Sequence, residues 1–179
     1  MSRMKRFFGQ VPLLILWLMF SLLLWGSVFV RITDTAPAKK LVVCVDAEVP
    51  GAAELARLLE AQAGKTIRMV KVRPFTYAMF DADSLTKADI FILRAENFER
   101  YADWFLPLPE EMNAPDALVI DGVAWGLPLN GAAAAYIDYW ETDGWYLFFG
   151  AQSLHVDGNA GAVDNEAVAA ATAIMNNEQ

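Results

Sequence analysis

Asp46 and Glu48 stand two apart directly after a compact apolar run, Lys40 to Val45 (KLVVCV), and that position gives them chemical meaning. The run reads as a strand buried on both faces. Open α/β sheets bind ligands beyond the carboxyl ends of such strands. Two acids there can work as an acid/base pair, accept hydrogen bonds from hydroxyls, or hold a cation. Asp81 and Asp83 lie in a later loop and offer the same groups. For all four the plainer role is loop solvation, or capping of the helix that begins near Pro50. His155 is the single histidine, so no His-based metal cluster can be assembled. Its place in a loop after a strand suits a surface or capping residue. Cys44 is the single cysteine, which excludes an internal disulfide and suits a small buried hydrophobe. Gly158-Asn159-Ala160-Gly161 lacks the strand-to-helix placement of a nucleotide fingerprint. The inventory predicts no metal, no cofactor and no enzyme.

Aromatic residues are the other candidates. Trp104, Trp125, Trp140 and Trp145, with Phe75, Tyr77, Phe80, Tyr136 and Tyr139, are numerous for one small domain. An aromatic ring with a polar edge can stack on a sugar or anchor a protein interface. Most should be core. Trp125, beside Gly126 and Pro128, is the one expected nearest a cleft.

The elements that must position these residues follow from hydrophobic periodicity. After the first strand, Ala52 to Ala63 reads as a helix whose buried stripe is Leu55, Leu58 and Leu59, with Pro50 near its start and Gly64 just past its end. Thr66 to Val72 alternates as a half-buried strand, which completes a βαβ unit. Asp89 to Leu93 is a second doubly buried strand, and Glu96 to Trp104 a helix ending before Pro107. Strands are expected at 117–120, 123–127, 132–137 and 145–149, the first two joined by an Asp121-Gly122 hairpin turn. Asp164 should cap a last, Ala-rich helix running to about Met175. The pattern is α/β: one three-layer lobe with a mixed, mainly parallel sheet, following a single N-terminal transmembrane helix.

That helix is Val11 to Val30 (VPLLILWLMFSLLLWGSVFV), twenty residues without a charge. A bilayer core about 30 Å thick needs roughly 20 apolar helical residues to cross it. Arg3, Lys5 and Arg6 precede the run with no acid among them, so the N-terminus is expected in the cytoplasm and the rest outside it. The division is a cytoplasmic tail at 1–10, a membrane helix in lipid at 11–30, a linker at 31–39 and an extracytoplasmic domain at 40–179. Cleavage after Ala38, in the Ala36-Pro37-Ala38 phrase, is the rival to a permanent anchor, but the apolar run exceeds the usual signal length of about 7–15 residues. All 22 acidic residues follow Val30, against 11 of the 14 basic ones, so the outer part carries −11. Such a balance argues against nucleic acid as a partner.

Taken in order, the first strand, the PGAAELARLLEA helix, ADIFILRAENFERYADWFLPLP and VAWGLPL resemble the first lobe of extracellular solute-binding proteins, in particular carbohydrate-type members with the type 2 periplasmic-binding-protein fold. Ala88 to Ile92 resembles the family's third strand, Phe105 to Leu108 the stretch after its short helix, and Gly126-Leu127-Pro128 the phrase before the strand to the hinge. Ala135-Tyr136-Ile137-Asp138 is similar to the hinge-proximal segment. The likeness covers about 41 to 140, one lobe only. After Trp140 the chain reaches the next strand within a few residues, so a second lobe is not expected. One lobe offers about half a site, and tight capture would need dimerisation or a partner lobe.

The resemblance implies a membrane-anchored, non-catalytic solute-binding relative working with an ABC-type importer, with a sugar as the solute. Strand-end position and resemblance together single out Asp46, Glu48, Asp81, Glu96, Trp125 and Asn130 for ligand contact. The alternative is a degenerate lobe that docks on an ABC permease, or on a full-length binding protein, as an interaction or regulatory subunit.

Overall fold

The computed structural model describes residues 2–33, 35–75, 86–112, 114–129, 135, 144–159 and 161–176. It divides into two compact units, Met1–Thr35 and Ala36–Gln179. The first is one helix, α1 (Ser2–Thr33). Its apolar stretch Val11–Phe29 is long enough to cross a membrane, with large side chains such as Leu23 and Trp25 more than 70% exposed. Pro12 sits inside the helix, as its eleventh residue, because the helix begins well before the apolar run.

In the second unit the first strand is β1 (Lys40–Val45), followed by α2 (Ala52–Gln62) and β2 (Met69–Pro74). Then come β3 (Ile90–Arg94), the short helix α3 (Phe98–Tyr101), β4 (Phe105–Leu106), β5 (Leu118–Ile120), β6 (Val123–Pro128), β7 (Trp145–Gly150) and α4 (Glu166–Asn176). The strands make one sheet in the order β2-β1-β3-β7-β6-β5, with β4 also on β7. β1 pairs parallel with β2 and with β3, whereas every pairing of β4, β5, β6 and β7 is antiparallel. The sheet is therefore mixed rather than mainly parallel. Only the β1–α2–β2 stretch and the return to β3 use crossovers, while the second half is built from a hairpin and reversing strands.

Alternation along β1 and β3 sends side chains to two cores. Leu41, Val43, Val45, Ile90 and Ile92 face Leu55 and Leu59 of α2 and Ala167, Ala170 and Ala171 of α4. Cys44, Phe91 and Leu93 face the other way, toward Phe98, Phe105 and Phe148. The two helices are tied together where Gly64 N–H donates to Glu166 Oε2 at 2.6 Å. The sequence-predicted helix at 96–104 is instead two 3₁₀ turns, Ala95–Asn97 and Ala102–Trp104, flanking α3. Phe98, Tyr101 and Trp104 recur every third residue and all three pack into the aromatic core. Asp121 and Gly122 take φ of 53° and 80°, the left-handed pair a type I′ hairpin requires. The strand expected at 132–137 lies outside the described residues, apart from Ala135 in a turn.

Pro37–Lys39, a single 3₁₀ turn, belongs to the second unit. Lys39 C=O accepts from Arg68 N–H at 2.9 Å and Pro37 C=O faces the ring of His155.

Candidate functional site

The sheet order puts β2 and β3 on opposite sides of β1, so the chain reverses its direction of travel across the sheet between β1 and β3. At such a switch point the loops leaving two adjacent parallel strands part and open a crevice at their carboxyl ends. Asp46 is the first residue beyond β1, held there by its N–H donating to Ile92 C=O at 2.9 Å. Asn97 lies three residues beyond β3, at the end of the 3₁₀ turn. The two meet across the switch point: Asn97 Nδ2 donates to Asp46 Oδ2 at 2.7 Å. Asp46 itself is only half-buried, so part of the pair faces solvent. Partial burial raises the Asp46 pKa above its ordinary value, while the Asn97 hydrogen bond and the Arg100 charge pull it part of the way back.

Arg100 is close enough for its charge to act on this carboxylate, and Arg94 stands at the same edge of the sheet. Arg94, the last residue of β3, places its guanidinium 5.8 Å from the ring centroid of Trp145 and 3.5 Å from Glu96 Oε1. Arg100 lies over the Tyr101 ring at 5.3 Å. A carboxylate, an amide and two guanidinium groups at one edge can recognise a polar solute by directed hydrogen bonds. Among the described residues no group of three or more His, Cys, Asp or Glu could hold a metal ion.

Of the sequence-predicted residues, Asp46, Glu48 and Glu96 belong to this edge. Glu48 is exposed in the loop after β1, and Glu96 is exposed and paired with Arg94. Trp125 is half-buried in the aromatic layer, edge-on to Phe98 at 5.2 Å. Asp81 and Asn130 lie outside the described residues. Sequence reasoning missed Asn97, although its place just beyond a doubly buried strand was a usable signal.

A second polar cluster sits at the opposite, amino edge. Asp89, Ser153 and His155 are all buried. Ser153 Oγ donates to Asp89 Oδ1 at 2.6 Å and Val42 N–H donates to Asp89 Oδ2 at 2.7 Å. His155 N–H donates to Ser153 Oγ at 2.9 Å. The imidazole Nδ1 is 2.7 Å from Asp164 Oδ1, and Nε2 is 3.4 Å from Pro37 C=O. Both ring nitrogens thus face acceptors, and the serine hydroxyl faces a carboxylate rather than the imidazole. The hydrogen bonds tie the loop after β7 to the start of β3 and to the turn before β1. His155 is therefore not the surface residue its sequence position suggested, because Asp164 and Pro37 satisfy it inside the fold. Asp164 also caps α4, accepting from Glu166 N–H at 3.2 Å.

No protein-family model matches this chain, and no curated protein matches it. Among solved structures, thiaminase I from Bacillus thiaminolyticus is similar over 50% of this chain and 28% of that one, at 23% identity and a TM-score of 0.36. The expectation of a non-enzyme is corrected on that finding, since the similar structure is an enzyme's; a likeness of this size assigns neither that activity nor its absence to this chain.

Proposed function

We propose that residues 36–179 form a solute-binding lobe of the type 2 periplasmic-binding kind, held at the outer face of a membrane by α1 and serving an ABC-type import system. The observation that carries this reading is the half-buried Asp46–Asn97 pair at the switch point. A carboxylate beside an amide, with the Arg100 charge close enough to act on it, suits a hydroxyl-rich solute, and a sugar is the class proposed. Arg3, Lys5 and Arg6 before the apolar helix support an N-terminus in the cytoplasm. One lobe supplies half a cleft, so closure over the solute falls to a second copy or a partner lobe.

The test is thermal unfolding of the full chain in nanodiscs of uncharged lipid, against glucose, xylose and maltose. A ligand that binds only the folded state raises the melting point by mass action, by about 2.7 kcal/mol of stability at 100 times Kd. A dose-dependent rise that disappears in Asp46→Ala and weakens in Asn97→Ala is expected. A flat response to all three sugars at millimolar concentration would overturn the sugar reading. A second reading, docking of the lobe on a permease or a full-length binding protein, is favoured by Val119 and Val123. They are 58% and 41% exposed on the hairpin that ends the sheet order.

A further inference from the structure

The His155 ring is fully buried between two acceptors. Nδ1 lies 2.7 Å from Asp164 Oδ1, and Nε2 lies 3.4 Å from Pro37 C=O. A carbonyl oxygen can only accept. Asp164 Oδ1 already accepts from Glu166 N–H, and Oδ2 of the same carboxylate is buried without a hydrogen-bond partner among the described residues. A neutral imidazole has one N–H and one lone pair, so it satisfies one of these acceptors and turns a lone pair on the other. The charged ring donates to both.

The two contacts are unequal. Nδ1 faces a carboxylate at short range, a charge-assisted hydrogen bond, and keeps its proton; Nε2 faces a neutral carbonyl at longer range and gives its proton up first. The tie that is lost is the one to Pro37. Pro37 opens the turn Pro37–Lys39 that leads into β1, and its carbonyl also accepts from Lys40 N–H. The far end of the turn is held separately, by Arg68 N–H on Lys39 C=O. Pro37 is also one wall of a cavity of about 400 Å³ at this amino edge, which Val42, Asp89 and Leu154 line as well.

We infer that His155 is a proton-operated latch on the first turn of the folded domain: the charged ring bridges Asp164, ahead of α4, to Pro37, and loss of the Nε2 proton frees the Pro37 end of the turn and moves that wall of the cavity. Charged groups reach this region from several elements. Asp164 and Asp89, the latter ahead of β3, act on the ring directly. Lys40 at the start of β1 and Lys87 ahead of β3 line the same cavity, and Lys39 ends the turn itself. Glu166 of α4 is turned to Gly64 N–H, and Asp157, on the ring's own loop, to Gly158 N–H. Burial alone would lower the pKa of the ring. The Asp164 hydrogen bond, the Asp89 and Asp164 charges and the Pro37 carbonyl outweigh it, so the latch is closed below a midpoint that lies above 6.5. The latch does not depend on the solute reading.

Nuclear magnetic resonance of the full chain in dodecylmaltoside micelles tests it without any substitution. His155 is the single histidine and Pro37-Ala38 the single Pro-Ala pair, so nitrogen-15 in histidine and alanine with carbon-13 in the proline carbonyl isolates one ring and one peptide. At pH 6 both ring nitrogens should carry a proton, and above the midpoint Nδ1 alone. The Pro37 carbonyl signal should shift with the same midpoint. Nitrogen relaxation at Ala38 should report a rigid backbone below it, with an order parameter of about 0.85, and a more mobile one above. Asp164→Asn removes a contacting negative charge and should lower the midpoint by about one pH unit or more. A ring with one proton at pH 6, a Pro37 carbonyl unmoved by the ring's titration, or an Ala38 equally ordered on both sides of the midpoint would each overturn the latch.

Discussion

Cys44 and His155 are the chain's single thiol and single imidazole, and burial acts on them differently. Around Cys44 desolvation dominates, with Asp89 adding to it and Arg73 opposing it, and the thiol is pushed up to about 12. The thiolate is the reactive species, so the native protein should show no reaction with a thiol reagent at neutral pH and one full equivalent after unfolding in guanidinium; absorbance with Ellman's reagent reads both. Around His155 desolvation is again the largest single influence and disfavours the charged ring. It is outweighed by the Asp164 hydrogen bond, the Asp89 and Asp164 charges and the Pro37 carbonyl, so the pKa ends above its ordinary value of 6.5. The folded protein thus holds this proton to higher pH than the unfolded chain. The resulting stability is complete below about pH 6.5 and is lost as pH rises through the folded pKa. Melting points should fall over that window in the native sequence and fall less steeply in Asp164→Asn. Asp46 and Asp89, whose pKa values are also raised, contribute the same sign from lower pH, so the difference between the two slopes isolates His155.

Elements built on an uninterrupted local pattern were legible in the sequence. β1 occupies Lys40–Val45 as expected, and α2 ends one residue short of Ala63. The hairpin turn follows from Asp121-Gly122 alone, because few other pairs tolerate left-handed backbone at both positions. β2 begins three residues later than alternation suggested. Thr66 to Arg68 alternates too, but pairing with β1 starts at Met69, after Arg68 N–H has bonded to Lys39 C=O. β4 was not legible, since two residues carry no periodicity and Phe105 joins the sheet only because Gly150 of β7 is there to receive it. A Cβ on Gly150 would collide with the Ala88 backbone oxygen, a partner that cannot swing aside. Gly150→Ala should therefore destabilise the domain by about 1–3 kcal/mol. Leu59→Ala empties a fully buried position on α2 and should cost about 2–5 kcal/mol; urea titration measures both.

At the scale of the whole molecule, the second unit begins at Ala36, before its first strand. A chain started at Ala36 should melt within a few degrees of the full chain, since it keeps the Pro37–Lys39 turn. A chain started at Lys39 loses the Pro37 carbonyl facing His155 and one wall of the amino-edge cavity. At ~1 kcal/mol for a lost buried hydrogen bond, it should melt about 3 °C lower or more. Differential scanning calorimetry of the two truncations checks this. The same comparison shows what cleavage after Ala38 would cost the domain.

Sequence alone determined the apolar 11–30 helix, the α/β class, the βαβ opening and the place of an acid just past β1. Each is a property of contiguous residues: length against a bilayer, period against a helix or strand, an acid at a strand's end. Tertiary structure alone decided what Asp46 meets. Its partner Asn97 is 51 residues away and reaches it only because β3 lies on the far side of β1 from β2. It likewise gathered Pro37, Asp89, Ser153, His155 and Asp164 at the other edge, and put Trp125 edge-on to Phe98 in the aromatic layer. Strand order and register set such meetings. They depend on which long-range pairings bury the most apolar surface, a comparison among whole folds that no local pattern encodes.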